Sequence, residues 1–138
     1  MENACSLLIG YGLNVAGSVR IENDEFLIDV SDHNLVREER CIYAYVAADE
    51  IVRIGSSKAP LSIRLGAWRR DVTNALQGRK SPTPKAESDG WRSVLSAGPG
   101  LILARVGTIV TTPVGEINAY LAEEAALIAK HRPRFCRR

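Results

Sequence analysis

The sequence predicts an α/β sandwich, with a three-stranded antiparallel core sheet flanked by helices and an extra β-hairpin at its N-terminal end. Three observations predict it. Residues 41–47 and 51–54 are short runs rich in Ile, Val and Tyr with only a few residues between them, the pattern of a hairpin. Residues 101–110 are almost continuously apolar, as in a strand covered on both faces. Residues 60–77 and 115–131 carry apolar side chains at helical spacing. A chain of 138 residues, 46% hydrophobic and 25% charged, suits one globular domain with a real core.

Taken in order, residues 4–9 are mostly apolar and are followed by Gly10, Gly12 and Gly17, which reads as a short helix or a strand, with helix preferred. Val19 and Ile21 alternate with polar residues, as do Phe26, Ile28 and Val30, and Asn23-Asp24 sits between them as a turn. This is the extra hairpin, with three possible roles: an added sheet edge, a DNA contact or a subunit interface. Residues 31–40 are polar, and His33 has no second histidine at metal spacing. In the next hairpin Cys41, Tyr43 and Tyr45 share one face, and Ile51, Arg53 and Gly55 share one face of the partner strand. A three-residue turn puts Tyr43 directly opposite Arg53, and a four-residue turn puts it opposite Ile54. A phenol facing a guanidinium beside Gly55 and two serines forms a phosphate site, or else the Tyr packs and the Arg is solvated.

Pro60 opens a helix to about Gln77 with one apolar stripe through Leu61, Leu65, Trp68, Val72 and Leu76. Arg64 borders that stripe one turn before Trp68, on which it could stack. Residues 78–90 have the composition of a loop, and Arg79, Lys80 and Lys85 in it either meet a phosphate backbone or are solvated. A short helix over 91–97 follows, then the strand 101–110. In the last helix Ile117, Tyr120, Leu121, Leu127 and Ile128 fall within about 60° of Glu124. Glu124 is thereby centred on the buried face, where a carboxylate is costly unless paired or metal-bound. A salt bridge to Arg64 or Arg53 is the competing role.

Cys41-Ile42-Tyr43, then Arg53-Ile54-Gly55 after nine residues, then Ser57, Arg64, Glu124-x-x-Leu127-Ile128 and Pro133, resemble the ordered motifs of the GIY-YIG nucleases, and most closely the family's small restriction endonucleases. The resemblance covers about residues 38–138 and leaves 1–37 as an N-terminal β extension of a single domain. It implies a DNA endonuclease that hydrolyses phosphodiesters with Mg²⁺ or Mn²⁺. Glu124 would hold the metal, Tyr43 would take a proton from water, and Arg64 would steady the phosphate. Arg53 would lower the pKa of Tyr43, while Gly55, Ser57, Lys80 and Lys85 would bind substrate. The chain departs from the family at Trp68, where relatives have His or Tyr, and near Cys136, where they have Asn. Those departures motivate the alternative of a non-catalytic nucleic-acid-binding or partner-binding domain. Cutting both strands implies a homodimer, with the N-terminal hairpin as candidate interface.

The net charge of +2 hides an asymmetry. Residues 1–50 hold three basic and ten acidic residues, a balance of −7, whereas 51–138 hold fifteen and six, a balance of +9. A cationic body suits a phosphate-backbone binder, and equally the two halves could neutralise each other in the fold. The cysteines, Cys5, Cys41 and Cys136, are odd in number and widely spaced, which fits neither a disulfide framework nor a zinc site. No apolar run is long enough to span a membrane, and a cytoplasmic location is expected.

Overall fold

The computed structural model describes residues 3–136. Twelve elements follow one another: α1 (Ala4–Gly10), β1 (Asn14–Glu22), β2 (Glu25–Val30), a 3₁₀ turn (Leu35–Arg37), β3 (Cys41–Ala47), β4 (Glu50–Ser57), α2 (Leu61–Leu76), α3 (Lys85–Val94), β5 (Gly100–Val106), β6 (Ile109–Thr112), β7 (Gly115–Asn118) and α4 (Tyr120–His131). The main sheet has five strands in the order β2-β1-β5-β3-β4, and every neighbouring pair is antiparallel. The expected three-stranded core and extra hairpin are thus one sheet, because β5 pairs with β1 as well as with β3. The near-continuous apolarity of β5 has the anticipated cause. It is the central strand, with Ile102 and Ala104 in the cluster on one face and Leu103 in the cluster on the other.

Helices α2 and α3 cover the first face and α1 and α4 the second, so the domain has three layers. On the α2/α3 side, Phe26, Tyr45, Trp91 and Phe135 meet ring against ring, with Trp91 4.7 Å from Phe135 and 5.2 Å from Phe26 between centroids. Trp91 is fully buried, and truncating such a residue costs about 3–5 kcal/mol. The stripe on α2 is buried as its spacing predicts: Leu61, Leu65, Trp68, Val72 and Leu76 all face the sheet.

Three expectations are corrected. The helix expected over 91–97 runs from Lys85 to Val94, with Pro84 at its cap position, so the loop before it is shorter than composition suggests. The strand expected over 101–110 ends at Val106, because the chain turns at Gly107. A Cβ there would collide with Asn118 Oδ1 and lie 2.5 Å from Tyr120 Cβ. Residues 109–118 then form a separate two-stranded sheet, β6–β7, and the last helix starts at Tyr120, not at 115. The Asn118 side chain stops β7 by accepting from the Tyr120 backbone N–H at 3.0 Å.

Candidate active site

The β3–β4 hairpin turns on two residues, Ala48 and Asp49, both with positive φ (51° and 57°). This is tighter than either turn considered from sequence, and a bulge between Tyr45 and Val46 compensates. Tyr43 therefore lies opposite Gly55, and Arg53 lies opposite Tyr45. Tyr43 and Arg53 share a face as diagonal rather than direct neighbours. The bulge also puts Ile51 in the α1/α4 cluster, on the face away from Arg53. Gly55 is needed where it stands. The Tyr43 ring crosses over it, and a Cβ at 55 would come within 2.5 Å of the phenol carbon and oxygen.

Tyr43 is buried, and its hydroxyl accepts a hydrogen bond from Arg64 Nε at 3.2 Å. The phenol in turn holds the Arg64 guanidinium above its usual range, chiefly through charge attraction and then the hydrogen bond. Arg64 does not stack on Trp68. Arg53 does, with its guanidinium carbon 3.9 Å from the ring centroid and Nη1 donating to the Phe135 carbonyl at 2.9 Å. Trp68 is 8% exposed, which agrees with its assignment to the core.

Glu124 comes from the other side of the sheet. It is half-buried rather than centred on a buried face: in α4 only Tyr120 is buried, and Leu121 is 59% exposed. Among the described residues Glu124 takes part in no ion pair. Its Oε1 accepts from the Ser56 hydroxyl at 2.9 Å. The two sides meet because β4 is the outermost strand. A cavity of about 470 Å³ wraps its outer edge, lined by Arg53 and Arg64 from one side and Ile54 and Glu124 from the other. Along that edge the Phe135 N–H donates to the Val52 carbonyl at 2.9 Å, and Cys136 Sγ lies 3.3 Å from the Ile54 nitrogen and 3.2 Å from its oxygen. Burial pushes the Cys136 thiol up, away from reactive thiolate.

Other expected site residues lie elsewhere. The Ser57 hydroxyl donates to the Ala59 carbonyl at 2.7 Å and closes the turn into α2. Its neighbour Ser56, overlooked in the sequence, is the serine that meets Glu124, because strand alternation puts residues 54 and 56 on the α4 side. Lys80 is exposed, and Lys85 is exposed and paired with Asp89; neither lines the cavity. His131 points at Tyr11, whose hydroxyl is 3.0 Å from Nε2. Of the basic tail, Arg137 and Arg138 lie outside the described residues. The cavity also receives Asp71 and Thr83, which the motif pattern does not single out.

No family model matches the sequence, and no curated relative does. Solved structures do match. A mutant of bacteriophage T4 EndoII superposes with a TM-score of 0.67 at 19% identity, over 98% of this chain and 99% of that one. The restriction endonuclease HPY188I in complex with product DNA gives 0.57 at 14% identity, over 99% and 87%. This chain therefore shares, along nearly its whole length, the fold of two endonucleases.

Proposed function

We propose that the protein is a divalent-metal-dependent DNA endonuclease of the GIY-YIG type. The observation that carries this is the meeting of Arg64, already on the Tyr43 phenol, with Glu124 in one cavity, although the two helices lie on opposite faces of the sheet. The fold shared with one phage endonuclease and one restriction endonuclease bound to DNA supports it. A restriction-type enzyme acting in the cytoplasm is the more specific form of this reading.

Among the described residues no three His, Cys, Asp or Glu side chains cluster as a complete metal cage. A single anchoring carboxylate fits Mg²⁺ or Mn²⁺, which are commonly held by one or two carboxylates with water and substrate phosphate as the remaining ligands. Glu124, with Oε1 fixed by Ser56, is the residue that would hold it, and the ion would supply Lewis-acid polarisation of the phosphate and its water. Arg64 places a permanent cation where charge grows on the phosphorus oxygens. Tyr43, whose hydroxyl accepts from Arg64 Nε, is the residue that would take the proton from the attacking water. Arg53, stacked on Trp68 and tied to Phe135, braces the cavity wall and adds positive potential.

Supercoiled plasmid incubated with Mg²⁺, Mn²⁺ or EDTA tests the reading. Cutting with metal, lost with EDTA and in Glu124→Gln and Tyr43→Phe, is the expected result. Equal rates in the wild type and both variants would refute the assignment. The departure at Trp68, whose indole has no acid–base chemistry in this range, favours one second reading, a non-catalytic nucleic-acid-binding or partner-binding domain. That reading gains if the wild type binds DNA with steep salt dependence and never cuts.

A further inference from the structure

The cavity beside β4 is larger than one phosphate and one metal ion need. At about 470 Å³ it falls among pockets that take a small organic molecule, about 300–1,000 Å³. Its lining includes Asp71 and Thr83, to which the hydrolysis gives no role. Asp71 follows Arg64 by two turns of α2, about 10 Å further along nearly the same face. Among the described residues Asp71 takes part in no ion pair. Thr83 is 5% exposed, and its hydroxyl has no hydrogen-bond partner among the described residues. Arg53 Nε and Trp68 Nε1, on residues lining the same cavity, are buried and unpartnered as well. An unpartnered buried polar group is costly, and three around one cavity point to a ligand that satisfies them. The segment carrying Thr83 is firmly placed. In Ser81-Pro82-Thr83-Pro84 two proline rings restrict the backbone. The Ser81 hydroxyl donates to the Asp71 carbonyl at 2.6 Å and accepts from the Thr83 N–H at 3.1 Å, which ties Thr83 to α2 at Asp71.

We propose that Asp71 and Thr83 form a base-reading subsite, which takes an adenine or a cytosine unstacked from the bound nucleic acid. The inference deepens the endonuclease reading and rests on it for the neighbouring phosphate, held at Arg64. The pattern of donors and acceptors selects the occupant. A second phosphate brings only acceptors and is repelled by the Asp71 carboxylate. A metal ion leaves the indole and guanidinium N–H groups unsatisfied and is repelled by Arg53. The ligand must therefore be uncharged and carry a donor beside an acceptor. On their pairing edges adenine and cytosine set an exocyclic amino group next to a bare ring nitrogen. The amino group donates to Asp71, and the ring nitrogen accepts from the Thr83 hydroxyl. Other acceptor atoms of the base or its sugar answer the N–H groups of Trp68 and Arg53. Thymine and guanine carry a ring N–H where the bare nitrogen is needed. A pairing edge is hidden within a duplex, so the base enters the cavity only by leaving the stack.

Titration of the intact chain in EDTA, followed by NMR, tests the proposal. The probes are dAMP, dCMP, dTMP and base-free deoxyribose 5′-phosphate. Wild type should bind dAMP and dCMP at least about tenfold more tightly than the other two, the scale of one good base contact. Asp71→Ala and Thr83→Val should bring dAMP and dCMP down to the level of dTMP with an unchanged circular dichroism spectrum. Thr83→Ser keeps the hydroxyl and should keep the preference, so the two Thr83 variants decide the matter even where Asp71→Ala fails to fold. Equal binding of all four probes, binding of none, or a preference that survives Thr83→Val would overturn the proposal. These titrations need no cleavage. If plasmid is never cut and the preference still depends on Thr83, the endonuclease reading fails and the base subsite stands. If plasmid is cut, sequenced ends should show adenine or cytosine at one fixed position beside the cut, and all four bases there with Thr83→Val.

Discussion

Glu123 and Glu124 are adjacent on α4, and their surroundings separate them completely. Glu123 turns toward β5 and the start of the β6–β7 hairpin. Arg105 binds both its oxygens, at 3.2 and 2.5 Å, and Thr108 adds its backbone N–H at 2.7 Å and its hydroxyl at 2.8 Å. These partners, Arg105 first, hold the Glu123 carboxyl at about 2, well below its ordinary 4.5. Glu124 turns toward β4, receives one hydrogen bond from Ser56, and keeps the rest of its carboxylate toward the cavity. A carboxylate with every lone pair engaged holds structure together, and one with capacity left over can accept a ligand. The difference teaches that two adjacent carboxylates of similar burial can differ fourfold in donors, four on Glu123 against one on Glu124.

The largest test of this contrast is Glu124→Gln, which keeps volume and removes charge. DNA cleavage should fall by about 10²–10³ or more while the melting temperature holds, as expected for loss of one preorganised charge at a reacting site. Next is Tyr43→Phe, which keeps the ring over Gly55 and removes the oxygen that Arg64 contacts. Cleavage should again fall about 10²-fold with DNA affinity, read by fluorescence anisotropy, nearly unchanged. Glu123→Gln should do the reverse, sparing cleavage and costing about 1.5–3 kcal/mol in urea unfolding, the range for a hydrogen bond to a charged group.

The pH dependence of stability follows from the same carboxylate. Because the folded pKa of Glu123 is depressed, its contribution is fully present above about 4.5 and is lost as pH falls toward about 2. Wild type should lose stability across that window, and Glu123→Gln should lose less, in melts at stepped pH. The smallest expected effect is Ser56→Ala. Glu124 would lose its one fixed donor, and cleavage should drop by about threefold to tenfold, consistent with about 1 kcal/mol for one hydrogen bond. An Ser56→Ala effect as large as that of Glu124→Gln would show the serine itself to touch the reacting groups.

Much of this site is legible in the sequence, and the gaps have physical causes. Arg64, Tyr43 and Glu124 stand out through ordered motifs, whereas the helical spacing that centred Glu124 on a buried face misled, because α4 starts only at Tyr120 and buries little else. The exact register is not legible. Ala48-Asp49 lacks the glycine that announces a tight hairpin turn, and the bulge after Tyr45 leaves no mark in composition. The two-residue turn and the unseen bulge together displace Tyr43 from Arg53 to Gly55, and Ser57, singled out by the motif order, closes the turn into α2 while Ser56 meets Glu124. The β6–β7 hairpin is hidden for another reason. Its β-branched residues extend the apolar run of β5, and Ile117 joins by coincidence the helical pattern of α4. The turn at Gly107 separates β5 from β6, and the Asn118 side chain separates β7 from α4.

The place of β5 between β1 and β3 has a kinetic consequence. The β1–β2 and β3–β4 hairpins are local and can form on the microsecond scale, at about 1–10 μs each. Neither can find the other until residues 100–106 arrive and bridge them, which closes loops across most of the chain. β5 therefore acts as the keystone in time as well as in space. Until it inserts, the inner edges of both hairpins stay unpaired and open to other chains, so slow insertion would favour aggregation during refolding. Substitutions at Ile102 or Leu103 should slow folding, whereas changes at the Ala48-Asp49 turn should act mainly through the early hairpin.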